Sequence, residues 1–190
     1  MKVRKKPSTS LFPCPVVMVS CVGLSGKPNI ITLAWAGTVC SNPPIVGIGI
    51  NPKRYSFGLV EESGEFVVNI PTRNIVKEVD FCGTTSGRDV DKFSETRLTP
   101  QPAQKVKPPL ILECPIIIEC VVSNKILLGS HQLFLGEVVL VHSDESVLDE
   151  KGEINNRKFA PIVYNRREYW SLRGKIGVHG FSKKAFNPAR

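Results

Sequence analysis

The feature that most constrains this chain is a pair of long β-prone runs, Ile116–Leu128 and Leu133–His142, with Gly129-Ser130-His131 and Gln132 between them. Isoleucine, valine and leucine dominate both runs, and a short glycine-led polar gap between two such runs predicts a β-hairpin, which pairs them antiparallel. An isolated two-stranded ribbon is marginal in water, so these strands require further partners. The rest of the chain supplies them. Val16–Val22 is a β-branched run that ends in the turn Gly23-Leu-Ser-Gly26-Lys-Pro28. Ile45–Ile50 alternates with period two, Val46, Ile48 and Ile50 on one face and Gly47 and Gly49 on the other. Glu65–Ile70 places Phe66, Val68 and Ile70 inward and stops at Pro71, while Ala160–Tyr164 and Tyr169–Leu172 read as short terminal strands. Tyr55–Ser63 and Arg73–Phe81 have helical spacing, the second closed by Cys82-Gly83, and Thr84–Pro109 reads as a long irregular excursion. Strands outnumber helices without regular β-α alternation, which predicts an antiparallel barrel with helical insertions.

Composition narrows the functional classes. The net charge of +8 invites a nucleic-acid reading, but Lys2, Arg4, Lys5 and Lys6 carry four of the charges and residues 166–190 carry six, leaving residues 7–165 at about −2. A nucleic-acid-binding domain instead gathers Lys and Arg along a folded groove, so no nucleic-acid partner is expected. The six cysteines form no Cys-x-x-Cys pair, and no histidine stands at metal-ligand spacing from them, so no metal site is expected. The basic start runs into Pro7, Pro13 and Pro15 rather than an apolar signal core, and Glu119, Asn124 and Lys125 interrupt the longest apolar stretch. The expectation is a soluble, cytoplasmic protein with reduced thiols and no membrane association.

The stretch Asn29–Pro44 carries the functional signal. It reads as one strand in which hydroxyls, an amide and the flat face of Trp35 recur inside an apolar run, stopped by Asn42-Pro43-Pro44. An unpaired buried hydroxyl or amide costs on the order of 1–3 kcal/mol, so several together imply either a polar ligand or a solvent-facing side. The glycine face of the next strand invites the close approach of a ring, a ligand or another strand. Other chemistry finds little support. Pro52 stands where a dinucleotide fingerprint needs a third glycine, and Gly83-Thr-Thr-Ser-Gly87-Arg88 lacks the Gly-Lys-Ser/Thr ending of a P-loop. Glu119 and Glu137 read as outward-facing strand residues rather than a catalytic pair, and no nucleophile elbow accompanies His131, His142 or His179.

Taken in order, these pieces resemble the flavin reductase-like family, especially its flavoredoxin-like branch. The resemblance spans nearly the whole chain. It rests on Asn29–Pro44, on Gly47-Ile-Gly49-Ile-Asn51-Pro52 followed by Lys53-Arg-Tyr55-Ser56, and on Phe66-Val-Val-Asn69-Ile-Pro71. It continues through Ser86-Gly87-Arg-Asp89-Val-Asp91-Lys92-Phe93, Gly129-Ser-His131-Gln-Leu-Phe134-Leu-Gly136-Glu137-Val138 and Pro161-Ile-Val-Tyr164. It implies a mainly β, antiparallel Greek-key split barrel with a few short helices, one domain over residues 1–190 with basic tails at 1–10 and 174–190. It also implies FMN bound near a homodimer interface, with electrons supplied by NAD(P)H or a ferredoxin-like protein. Asn29, Thr32, Trp35, Thr38, Cys40 and Ser41 would contact flavin or its ribityl chain. Lys53, Tyr55 and Ser56 would serve the phosphate and ring edge, Lys92 would add a second phosphate cation, and Tyr164 would lie near the ring. His131 would lie on the nicotinamide side as the candidate catalytic residue. The resemblance implies an NAD(P)H:FMN oxidoreductase-type flavoprotein that passes electrons to flavin or another acceptor. Many NAD(P)H-dependent relatives have Gly-Asp-His where this chain has Gly129-Ser130-His131, which leaves a flavoredoxin-like carrier without its own NAD(P)H site, or a non-catalytic FMN-binding protein, as the alternatives.

Overall fold

The computed structural model describes residues 1–182. Along the chain the strands are β1 (Cys14–Pro15), β2 (Val17–Val22), β3 (Pro28–Leu33), β4 (Ala36–Ser41), β5 (Pro44–Ile50), β6 (Glu65–Ile70), β7 (Pro100–Gln101), β8 (Leu110–Ile111), β9 (Ile116–Leu128), β10 (His131–Ser143), β11 (Ile162–Asn165) and β12 (Glu168–Ser171). The helices are α1 (Tyr55–Ser63), α2 (Val76–Thr84) and α3 (Lys92–Thr96). Residues 183–190, the end of the basic C-terminal tail, lie outside the described residues.

The long hairpin forms with a two-residue turn: Leu128 pairs with His131, and Gly129 takes the left-handed φ of 53° that the turn requires. His131 is therefore the first residue of β10, where the sequence suggests a hairpin tip. Around this hairpin a seven-stranded antiparallel sheet assembles in the order β3-β2-β6-β9-β10-β5-β4. Its two edges are consecutive in the chain, joined only by Ala34-Trp35, and the N–H of Gly49 donates to the carbonyl of Trp35 at 2.8 Å. The sheet thus curls until its edges meet at this corner. The single strand expected over Asn29–Pro44 is two strands, because the chain must leave β2 at the corner to pair with β5. The face of β5 opposite Val46, Ile48 and Ile50 lies against the protein's own Trp35: a Cβ at Gly49 would sit 3.5 Å from the Trp35 Cβ, in ordinary contact.

Core residues pack on both faces of the sheet. Val17, Val19 and Cys21 join Ile48, Ile50, Phe66 and Phe134 inside the curl, whereas Val16 and Met18 join Ile30, Val67, Ile111 and Ile117 beneath α2 and the excursion. Period-two alternation with two buried faces explains why β2 reads as an unbroken apolar run. Gly64 caps α1 at φ 67°, its N–H returning to Val60, whereas α2 follows a 3-10 turn at Arg73–Ile75 and runs through Gly83 to Thr84.

The excursion is more ordered than expected. It contains α3, capped by the Asp91 carboxylate accepting from the N–H of Ser94, and the small β7–β8 ribbon. Two buried polar side chains fasten it to the sheet. The Asn69 carboxamide accepts from the N–H of Ile111 at 2.9 Å and donates to the carbonyl of Met18 at 3.1 Å. Glu119, expected to face outward, is fully buried. Its carboxylate accepts from the N–H groups of Gln104 (3.0 Å), Lys105 (2.7 Å) and Val106 (3.2 Å) and from His142 Nε2 (2.6 Å). The expectation fails because the loop, invisible to strand alternation, brings donors to that face. Glu137 does face solvent.

A third sheet, β1-β11-β12, brings residues near the two chain ends together. The turn joining β11 and β12 is Arg166-Arg167, with φ values of 52° and 74°. Left-handed backbone costs a non-glycine residue roughly 1–2 kcal/mol, so this turn is strained at two successive positions.

The Glu119 cradle predicts an acid-sensitive fold. Burial alone would push the carboxyl up, but the Gln104 N–H, the His142 side chain and the Lys105 N–H outweigh it and hold it below its ordinary value. A lowered folded value means that the stabilisation is present above the unfolded pKa, about 4.3, and is lost as pH falls below it. Urea unfolding of wild type should show this loss below about pH 4.5, and Glu119→Gln should flatten it. Glu119→Ala should cost about 3 kcal/mol at pH 7 by leaving three N–H groups unpaired.

Candidate functional site

The corner where the sheet closes forms the wall of a cleft with two chambers, of ≈ 500 and ≈ 230 Å³, whose linings share Ile31, Arg54 and Gly83. The larger chamber lies between the β3–β4 corner, the start of β10, the end of α2 and the β11–β12 hairpin. The smaller lies between the Lys53–Ser56 segment that opens α1 and the Thr85–Arg88 loop after α2.

Thr32, Trp35, His131 and Tyr164 all line the larger chamber. Trp35 is 46% exposed, and its indole packs against the His131 ring with centroids 4.2 Å apart at 56°. The Ser130 hydroxyl lies 2.9 Å from His131 Nδ1. Burial and then the nearby charge of Arg54 push the His131 imidazole below its ordinary range. Tyr164 meets Tyr169 edge-on at 5.8 Å. The Tyr169 hydroxyl donates to the Asp80 carboxylate at 3.1 Å, and burial, together with that carboxylate, pushes the phenol up to about 12. The Thr32 hydroxyl donates to the carbonyl of Val79 at 2.6 Å, so one member of the polar run is satisfied by α2.

Lys53, Tyr55, Ser56 and Lys92 line the smaller chamber. Asn29 stands behind it, buried, and donates from Nδ2 to the Ser56 hydroxyl at 2.7 Å, which fixes Ser56 rather than facing the cavity itself. Gly87 packs so closely on Asn29 and Tyr55 that a Cβ would fall 2.1 Å from Asn29 Oδ1. Lys92, expected as a second phosphate cation, has a structural duty as well. Its buried ammonium donates to the carbonyls of Ile30 and Cys82, both at 2.7 Å, and burial lowers its pKa. Thr38, Cys40 and Ser41 line neither chamber; they lie on β4, beyond the bend at Ala34-Trp35.

Several lining residues are absent from the sequence-based set: Arg54, Asp80, Ser86, Arg88, Arg167 and Tyr169. Arg54 lies inside Lys53-Arg-Tyr55-Ser56 and Arg88 closes Gly83-Thr-Thr-Ser-Gly87-Arg88, both quoted above for other residues. The Arg88 guanidinium lies 5.4 Å from the Tyr55 ring centroid and donates to the Lys53 carbonyl at 3.3 Å. Arg167 and Tyr169 required knowing that the terminal hairpin folds back over the corner. The cleft lining contains the cations Lys53, Arg54, Arg88, Lys92 and Arg167 against one carboxylate, Asp80. Among the described residues none of these cations is in an ion pair. The arrangement suits a ligand with a planar apolar body for the aromatic chamber and an anionic end for the basic one.

An antiparallel sheet curled and closed at one corner, with short helices around it, defines the split-barrel class. Residues 9–173 match the Flavin reductase like domain, and the chain belongs to that family. Among solved structures, it superimposes on the flavoredoxin of Desulfovibrio vulgaris (Miyazaki F) with a TM-score of 0.91 and 32% identity, covering 97% of this chain and 100% of that one. The flavoredoxin from Methanosarcina acetivorans gives a TM-score of 0.88 at 29% identity over 97% and 100% of the two chains. An uncharacterized protein of Archaeoglobus fulgidus is 38% identical over 129 residues, 68% of this chain and 73% of that protein.

The geometry separates structural from binding cations. Lys92→Ala should lower unfolding stability by about 2–3 kcal/mol, because two buried carbonyls lose a charged donor. Lys53→Ala and Arg88→Ala, at exposed positions, should stay within about 0.5 kcal/mol of wild type in the same urea titration.

Proposed function

We propose that the protein binds FMN across the two chambers and works as a flavin-dependent electron-transfer protein of the flavoredoxin type, without an NAD(P)H site of its own. The observation that carries this reading is the polarity of the cleft: aromatic groups and hydrogen-bonding edges in the larger chamber, and cations gathered in the smaller. A phosphomonoester of roughly −1.5 to −2 charge is matched by Lys53, Arg54 and Arg88, with Ser56 and Ser86 as hydrogen-bonding groups. Trp35, Thr32 and Tyr164 suit the isoalloxazine. The bound flavin would supply the electron-accepting and electron-donating chemistry, while these residues orient it and exclude water from one face. Similarity to two flavoredoxins supports the carrier reading.

A homodimer accounts for the remaining members of the polar run. Thr38 and Ser41 are exposed on β4, an edge strand beside the 55% exposed Val39. With Cys40 they reach a flavin only if a second copy apposes this strand. Light scattering should give twice the chain mass, and a monomer at micromolar concentration overturns the assignment of Thr38, Cys40 and Ser41.

The purified protein should be yellow, or become so on adding FMN; a protein that takes up no FMN refutes the reading. Lys53→Ala and Arg88→Ala should each weaken FMN binding about tenfold while changing riboflavin binding less than about twofold, measured by calorimetry. Equal losses for the two ligands would place the phosphate elsewhere. In anaerobic stopped-flow mixing, a reduced ferredoxin should bleach the flavin and neither NADH nor NADPH should do so at a useful rate. Fast bleaching by either nucleotide would make the protein an NAD(P)H-dependent reductase instead.

A further inference from the structure

The β11–β12 turn presents an unexplained expense. A two-residue hairpin with left-handed φ at both positions favours Asn-Gly or Gly-Gly, because a Cβ is unwelcome there. This chain has Arg166-Arg167, at φ 52° and 74°. Strain of this kind is retained where the side chain is used. The two arginines differ in one respect: Arg167 lines the larger chamber and Arg166 does not.

The charges around Arg167 are unbalanced. The phosphate reading occupies the smaller chamber, with Lys53 and Arg88 at its far end, and leaves Arg167 at the opposite end of the cleft. Arg54 lines both chambers and stands between them. The larger chamber's carboxylate, Asp80, already accepts the Tyr169 hydroxyl, and neither Arg54 nor Arg167 has an ion-pair partner among the described residues. Tyr164, Tyr169, Trp35 and His131 supply flat surfaces in the same chamber. We propose that Arg167, assisted by Arg54, forms an anion subsite that seats the carboxylate or phosphate of a small planar reactant in the larger chamber. This rests on the flavin reading only in that FMN would share the chamber. A planar guanidinium can engage either oxyanion through two parallel N–H bonds. An acidic protein docking on the rim is the competing occupant; the position of Arg167 in the chamber lining, which Arg166 does not share, favours the small molecule.

Strain and use make opposite predictions for one substitution. Arg167→Gly relieves the left-handed backbone and removes the guanidinium, so it should raise the melting temperature by a few degrees while weakening anion binding. Arg166→Gly should give the same thermal gain with unchanged anion binding. The full chain, loaded with FMN, is titrated with benzoate, phenyl phosphate and the neutral benzamide, read as perturbation of the flavin absorption spectrum and by calorimetry. Benzoate or phenyl phosphate should bind about tenfold more tightly than benzamide, and Arg167→Gly and Arg167→Gln should abolish the difference while leaving FMN affinity within about twofold. The stronger of the two anions identifies carboxylate or phosphate as the native group. Equal binding of benzamide and both anions, an unchanged preference in the Arg167 variants, or binding of none of the three overturns the subsite. If wild type takes up no FMN, the flavin reading fails separately, and the same calorimetric titrations on flavin-free protein decide the anion subsite.

Discussion

The bond from the Gly49 N–H to the Trp35 carbonyl carries the β4–β5 ladder up to the Ala34-Trp35 corner, and the cleft lies against that corner. Ala34-Trp35 joins the two sheet edges along the chain, so the direction taken there determines which residues of the polar run face the cavity. Before the corner, Thr32 points toward α2 and the larger chamber. After it, β4 carries Thr38 and Ser41 out along an exposed edge. Trp35 itself is left at the seam, packed beside Gly49 and against the His131 ring.

Buried polar groups in this chain are largely answered by the protein itself. Asn29 holds Ser56, Thr32 holds the carbonyl of Val79, and Lys92 spans the carbonyls of Ile30 and Cys82. The general rule that buried polar atoms find partners is obeyed, but the partners are backbone groups from α2 and β3 as often as they are cavity. These bonds set the spacing between the barrel and α2. That spacing positions Gly83 and the loop carrying Ser86 and Arg88, so side chains that line the cavity also set its width through their bonds to the backbone.

The sequence made the strands legible because period-two burial leaves a direct trace: Val46, Ile48 and Ile50 are buried as their alternation requires. It also located most of one wall of the cleft, since Thr32, Trp35, Lys53, Tyr55 and Ser56 lie close together along the chain. Three things were illegible. The bend at Ala34-Trp35 has no proline or glycine to mark it. The burial of Glu119 depends on N–H groups of an excursion 13–15 residues away along the chain. The opposite wall comes from a hairpin more than a hundred residues further on, and no local pattern reports such a distance. The resemblance to flavoredoxin-like proteins bridged part of that gap for Tyr164 but carried no assignment for Arg167.

The third sheet joins β1 to β11, so the wall that carries Tyr164, Arg167 and Tyr169 is anchored by residues close to both chain ends. During synthesis the barrel strands emerge in order and can pair while translation continues. The larger chamber cannot acquire its second wall until β12 has left the ribosome. A chamber walled on both sides therefore forms only after the barrel strands have been made. Any fusion that pulls Cys14–Pro15 away from the terminal hairpin acts on the ligand site directly, although it is attached far from it in sequence.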